Sequence, residues 1–131
     1  MERPGNQDKL HPHTSKENGL LEISWEDFEK VDIRVGTVVE AEPFPEARRP
    51  SIKFTVDFGQ EIGTRKTSAQ LTAHYEPEGL VGRQVIAVVN FPPKRIAGFE
   101  SEVLVLGVPD GNEDVVLLSP DHKVPPGGRM F

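Results

Sequence analysis

Two apolar runs, Val85-Ile86-Ala87-Val88-Val89 and Glu102-Val103-Leu104-Val105-Leu106, bracket the segment Asn90-Phe91-Pro92-Pro93-Lys94-Arg95-Ile96-Ala97-Gly98-Phe99-Glu100-Ser101. Each run has the length of a strand and the β-branched and aliphatic composition of one. Between them the Pro92-Pro93 pair removes two backbone donors, which opposes pairing and stiffens the chain. The segment then carries two cations, Lys94 and Arg95, and two aromatic rings, Phe91 and Phe99, with Gly98 as a pivot. A stiff loop that joins charge to apolar surface, held on two strands, is a candidate binding surface. The alternative is a cross-connection whose cations are solvated and whose rings belong to the core.

Working outward, the same rhythm recurs. Asp32 to Ala41 places Ile33, Val35, Thr37 and Val39 on one side against Arg34, Gly36, Val38 and Glu40, a period of two that predicts a strand, with Gly36 as its bulge or bend. Ser51 to Phe58 alternates with Ile52, Phe54, Val56 and Phe58 on one face. A turn framed by Gly59 and Gly63 leads into a hydrophilic third strand, Thr64 to Gln70. There Arg65 and Lys66 are neighbours and must point to opposite faces. Leu71 to Glu76 predicts a helical turn ended by Pro77, followed by a connector, Glu78 to Gly82, and a fourth strand opened by Arg83-Gln84. Beyond the central segment, Val103 to Val108 predicts a strand, Pro109-Asp110-Gly111-Asn112 a turn, and Val115 to Leu118 a last strand. The end, Ser119 to Phe131, is too rich in Pro and Gly for regular structure, and its final Met130-Phe131 is expected to dock.

At the front, residues 1–20 are polar and without periodicity and predict a mobile tail. His11 and His13 in that ligand-poor stretch make a poor metal site; no metal or cofactor is expected. Ser24 followed three residues later by Asp27 marks a helix start, and Trp25 and Phe28 share one face of that short helix. Two aromatics there either plug a barrel end or cover a neighbouring subunit. Five or six short strands, one short helix and no βαβ rhythm predict an all-β domain over residues 21–131: a five-stranded β-barrel of the OB type with a short N-terminal helix and an irregular C-terminal extension.

The 131 residues suffice for one domain with a core. The absence of cysteine excludes disulfides, thiolate metal sites and cysteine catalysis. With no apolar run long enough to cross a bilayer and no apolar region in the first residues, no membrane insertion is expected and the cytoplasm is the default compartment. A formal net charge of −6 at pH 7 counts against a partner held mainly through phosphates but leaves room for a local basic patch.

Three motifs in order, Val31-Asp32-Ile33-Arg34-Val35-Gly36-Thr37-Val38, Asn90 to Leu104 and Val116-Leu117-Leu118-Ser119-Pro120, resemble the tRNA-binding OB domain that is appended to some methionyl-, tyrosyl- and phenylalanyl-tRNA synthetases and also occurs free-standing. The likeness runs from about residue 24 to the C-terminus. Within that family the chain is most similar to the CsaA-type export-related chaperones, through Phe44-Pro45-Glu46-Ala47-Arg48, Asp57 to Gly63, Thr67-Ser68-Ala69-Gln70 and Val85 to Phe99. It departs from the general tRNA-binding pattern at Ala69, where that pattern has Gly, and at Glu102-Val103, where it has a small residue and then Met. Both departures are shared with the CsaA type. An acid at Glu102 repels phosphate there.

The resemblance implies a homodimer that accepts unfolded or precursor polypeptides, with the export motor SecA as a further partner; tRNA is the alternative ligand. Candidate peptide- or tRNA-binding residues are Arg65, Lys66, Ser68, Asn90, Phe91, Pro92, Lys94, Arg95, Ile96, Phe99 and Ser101. Candidate dimer-interface residues are Trp25, Phe28, Met130 and Phe131. No pairing of a nucleophile with a base is legible for Ser68 or Ser101, so catalysis is not expected.

Overall fold

The computed structural model describes residues 20–131. The tail expected over 1–20, with His11 and His13, lies outside the described residues except for Leu20. The chain divides into a unit that ends at Val31 and a unit from Asp32 to Phe131.

In the first unit, α1 (Trp25–Glu29) starts as its sequence demands. The Ser24 hydroxyl accepts the Asp27 amide at 3.0 Å and the Asp27 carboxylate accepts the Ser24 amide at 3.1 Å, a reciprocal cap that satisfies two orphan donors. The Trp25 and Phe28 rings stand 5.4 Å apart. No residue of α1 is buried, and Trp25 keeps 64% of its surface exposed.

The second unit runs through β1 (Ile33–Pro43), β2 (Ile52–Asp57), α2 (Gly59–Ile62), β3 (Thr64–Ala69), α3 (Pro77–Leu80), β4 (Gln84–Val88), β5 (Lys94–Ile96), β6 (Phe99–Ser101), β7 (Leu104–Val105), β8 (Gly107–Pro109) and β9 (Val115–Leu117). Five strands form one antiparallel sheet in the order β3-β2-β1-β4-β7, and β5-β6 and β8-β9 are separate two-stranded pairs. The sheet curls into a nearly closed barrel, an all-β architecture of the OB type. Its curvature comes from β1, whose first half pairs with β4 and whose second half pairs with β2.

The alternation read in β2 holds: Ile52, Phe54, Val56 and Phe58 are all buried in the core, joined there by Val38 and Val85. In β1 the register slips between Val38 and Glu40, so the bulge lies at Val39 and not at Gly36. One inserted residue reverses the facing of everything after it. Glu40, next in the inward row, is therefore exposed, and Ala41 turns inward. Gly36 instead permits a close approach, because a Cβ there would meet the core side chains of Val56 and Phe58. The barrel-facing side of β1 is thus Arg34-Gly36-Val38. The more apolar row, Ile33 and Val35, is buried outside the main core cluster together with Val88, the cross-strand partner of Ile33.

Three further expectations are corrected. Pro77 opens a helix instead of only ending one, since a first-turn residue needs no amide donor. Val103 to Val108 divides into β7 and β8, and β8 turns away to pair with β9. At the C-terminus the backbone docks and the side chains do not. Gly127, Gly128 and Met130 bond to Val35 and Ile33 of β1 at 2.8 to 3.0 Å, but Met130 is 45% exposed and Phe131 fully so. No helix among the described residues is long and apolar enough to cross a membrane.

Candidate functional site

The segment read as an unpaired loop is a hairpin. Pairing is denied only at Pro92 and Pro93; from Lys94 the chain pairs with itself as Lys94↔Ser101, Arg95↔Glu100 and Ile96↔Phe99. The two-residue turn is Ala97-Gly98, with φ of 49° and 80°, the pair of positive angles that a tight hairpin turn needs. Alternation puts Lys94, Ile96, Phe99 and Ser101 on one face and Arg95 and Glu100 on the other.

From the first of these faces Phe99 reaches Lys53 on the outward side of β2, while Ser101 reaches the inward-facing Thr67 of β3. On the outward side Lys53 is paired across the strands with Ser68, and Thr55 with Lys66. The Phe99 ring packs edge-on against Phe44 with centroids 5.3 Å apart, and Phe44 is buried. The Lys53 ammonium stands over both rings, 5.0 Å from Phe44 and 5.6 Å from Phe99, with the Glu42 carboxylate 3.6 Å away. Phe91, 37% exposed, and the exposed Pro92 and Pro93 lead into β5 as an apolar ledge.

The structure separates the expected site residues. Lys66 and Ser68 share the outward face, whereas Arg65 points the other way and donates to the Ile62 carbonyl at 3.3 Å. Lys94 and Lys66 are exposed, and among the described residues neither is part of a salt bridge. Arg95 is engaged by the Gly98 carbonyl at 3.0 Å and Glu100 at 3.9 Å. Asn90 accepts the Asp32 amide at 3.0 Å and so ties the end of β4 to the start of β1. Ser101 is buried. Its hydroxyl is shared with Thr67 at 3.0 Å and with the Val103 carbonyl and the Ser68 amide at longer range; neither a histidine nor a carboxylate is among these partners. It positions the hairpin and does not face outward.

Two residues that the sequence underplayed complete the surface. Lys53 sits at the polar beat of β2, the only signal that it faces outward. Glu102 carries no such signal. Its amide donates to the Lys66 carbonyl at 2.7 Å, and its carboxylate accepts the Lys66 amide at 2.8 Å. A side chain thus takes the place of a strand carbonyl and closes the seam between β3 and the hairpin. With the Thr67 hydroxyl on the Val103 carbonyl at 2.8 Å, this seam fixes the hairpin against the barrel. The Glu102 charge is held on a backbone donor, so it opposes an anionic ligand less than its bare sequence position suggests.

Away from this surface, Arg34 forms a nearly buried hub. It bonds Asp32 at 2.6 and 3.2 Å, Glu61 at 3.2 Å and the Gly127 carbonyl at 3.0 Å. The Arg34 hydrogen bonds hold the Asp32 carboxyl below its ordinary value against the opposing pull of burial, with the charges of Arg34 and Arg129 adding to the effect. His74, in the turn between β3 and α3, meets Asp110 at 2.6 Å. That bond and the amides of Asp114 and Asn112 lower the Asp110 carboxyl.

A small OB barrel with a cationic and aromatic hairpin over β2 and β3 belongs to the class of ligand-binding barrels. The tRNA binding domain family model matches residues 33–129. The chaperone CsaA of Bacillus anthracis strain Ames has a crystal structure with a TM-score of 0.78 and 54% identity, covering 84% of this chain and 99% of that one. The CsaA chaperone protein of Picrophilus torridus gives 0.78 and 47%, covering 84% and 100%. A methionine–tRNA ligase of Porphyromonas gingivalis is 39% identical over 109 residues, which are 83% of this chain but 16% of the ligase. The chain belongs to the tRNA-binding domain family and, within it, to the CsaA type.

Proposed function

We propose that this chain is a dimeric chaperone that binds unfolded or precursor polypeptides for export, in the cytoplasm, and hands them to partners such as SecA. The observation that carries the reading is that one hairpin and the segment leading into it combine exposed Phe91, Pro92 and Pro93, half-buried Ile96 and Phe99, and the exposed cation Lys94. Extended polypeptides mixing apolar and acidic residues suit such a surface, through burial for affinity and charge for steering. A two-fold dimer doubles the sites and raises avidity for a long chain. The likeness to chaperones of known structure supports the same reading, and the exposed aromatics of α1 with Met130 and Phe131 are the proposed dimer contacts. In this reading the chain is a binding module and not an enzyme.

A second reading, tRNA binding, is favoured by the match to synthetase domains and by the Lys53, Lys66 and Lys94 cations beside stackable rings. The two separate in a salt titration of binding to bulk tRNA and to an unfolded precursor, with the Lys94→Ala/Arg95→Ala double variant alongside. For a chaperone, polypeptide binding has a shallow salt slope and weakens about five- to tenfold in the variant, while tRNA is held only at low salt. Tight tRNA binding near physiological salt, lost steeply as salt rises and in the variant, establishes tRNA as the ligand instead.

A further inference from the structure

Lys53 is an unusual lysine. Its ammonium is held over the rings of two phenylalanines, one just after the end of β1 and one in the hairpin, and its side chain is only 26% exposed. The counter-charge, Glu42, is 67% exposed and 3.6 Å away. A surface lysine ordinarily loses much rotamer freedom when it engages a ligand. Here that freedom is already restricted by the rings, which attract the cation through their electron-rich faces. The long bond to an exposed carboxylate is weak and exchangeable. Arg95, by contrast, is already turned back on its own hairpin by Gly98 and Glu100.

We propose that Lys53 on the Phe44–Phe99 pair is a recognition position for one acidic side chain of a bound polypeptide, with Glu42 as its built-in competitor. The inference rests on the polypeptide-binding reading above and names which residue of the ligand the surface selects. An Asp or Glu carboxylate replaces Glu42 at the Lys53 ammonium while the adjoining residues of the peptide lie along the Phe91–Pro92 ledge. Because Glu42 and Lys53 are cross-strand partners on β1 and β2, the competitor is held in reach when the site is empty and swings into solvent when it is filled. A neutral residue leaves the internal carboxylate in place and gains nothing at Lys53.

The test uses the full chain and two labelled peptides of extended, Leu- and Phe-containing sequence that differ only by Glu or Gln at one position, plus a labelled oligoribonucleotide. The wild type is expected to favour the Glu peptide about fivefold. Lys53→Met, which keeps the alkyl stem on the rings, brings that ratio to about one, and Lys53→Arg preserves it. Glu42→Gln removes the competitor and raises affinity for the Glu peptide without changing the Gln peptide. Binding of both peptides with equal affinity in the wild type overturns the acidic position and leaves the polypeptide reading standing. Failure of both peptides to bind overturns that reading and the inference with it. A Lys53→Met loss confined to the oligoribonucleotide assigns the position to phosphate and overturns the carboxylate.

Discussion

A Cβ added at Gly36 would stand 2.4 Å from Val56 Cγ1 and 2.8 Å from the Phe58 ring, both fully buried. Gly36→Ala is therefore expected to lower stability by about 1–3 kcal/mol through overpacking, read as a shift in the urea midpoint. Gly79→Ala, where nothing lies within 4 Å, should leave the midpoint nearly unchanged. Asp32 acts by a different physics. Its folded-state carboxyl ionises more readily than the same group in the unfolded chain because Arg34 hydrogen-bonds the carboxylate. The stability it contributes is complete above the unfolded value, about pH 4, and is lost as pH falls through the lower folded value. Asp32→Asn should cost about 1–3 kcal/mol at neutral pH and flatten the acid limb of a stability-against-pH curve relative to the wild type.

Among the elements, the hairpin β5–β6 is the most tunable. Ala97 occupies a positive φ that glycine or asparagine adopts with less strain. Ala97→Asn is expected to stabilise the protein by about 0.5–1 kcal/mol in chemical denaturation. The seam beneath the hairpin should respond in the opposite sense. Glu102→Ala strips the Lys66 amide of its acceptor, so amide exchange at Lys66 should accelerate and stability fall by about 1–2 kcal/mol. How far these elements were legible depended on what kind of signal fixes them. β2 was readable because Ile52, Phe54, Val56 and Phe58 bury one face and leave the other polar, a pattern written in residue types. The bulge at Val39 was not, because valine suits either face and only the β1–β2 register decides. The seam was opaque for the same reason: a glutamate that serves as a strand carbonyl looks like any surface acid. Lys53 was half legible, since alternation gave its face but only the fold brings Phe44 and Phe99 beneath it.

For the molecule as a whole, the exposed Trp25 of α1 and the undocked Met130 and Phe131 carry the expectation of self-association. Light scattering at micromolar concentration should report a dimer, and Trp25→Ser/Phe131→Ser should shift it towards monomer; a monomeric wild type removes the proposed dimer. The net charge of −6 keeps such particles mutually repulsive, so the local cations work against a background that disfavours unspecific capture of anions. Pro92 and Pro93 have a consequence at this scale too. Among the described residues β5 has β6 on one side and no strand on the other, and an open edge is a template on which unfolded chains can stack into aggregates. The two prolines leave that edge short of donors just where it adjoins the ledge. Under the polypeptide-binding proposal, a client chain therefore rests its side chains on this surface without being recruited into a growing sheet, and leaves it still unaggregated.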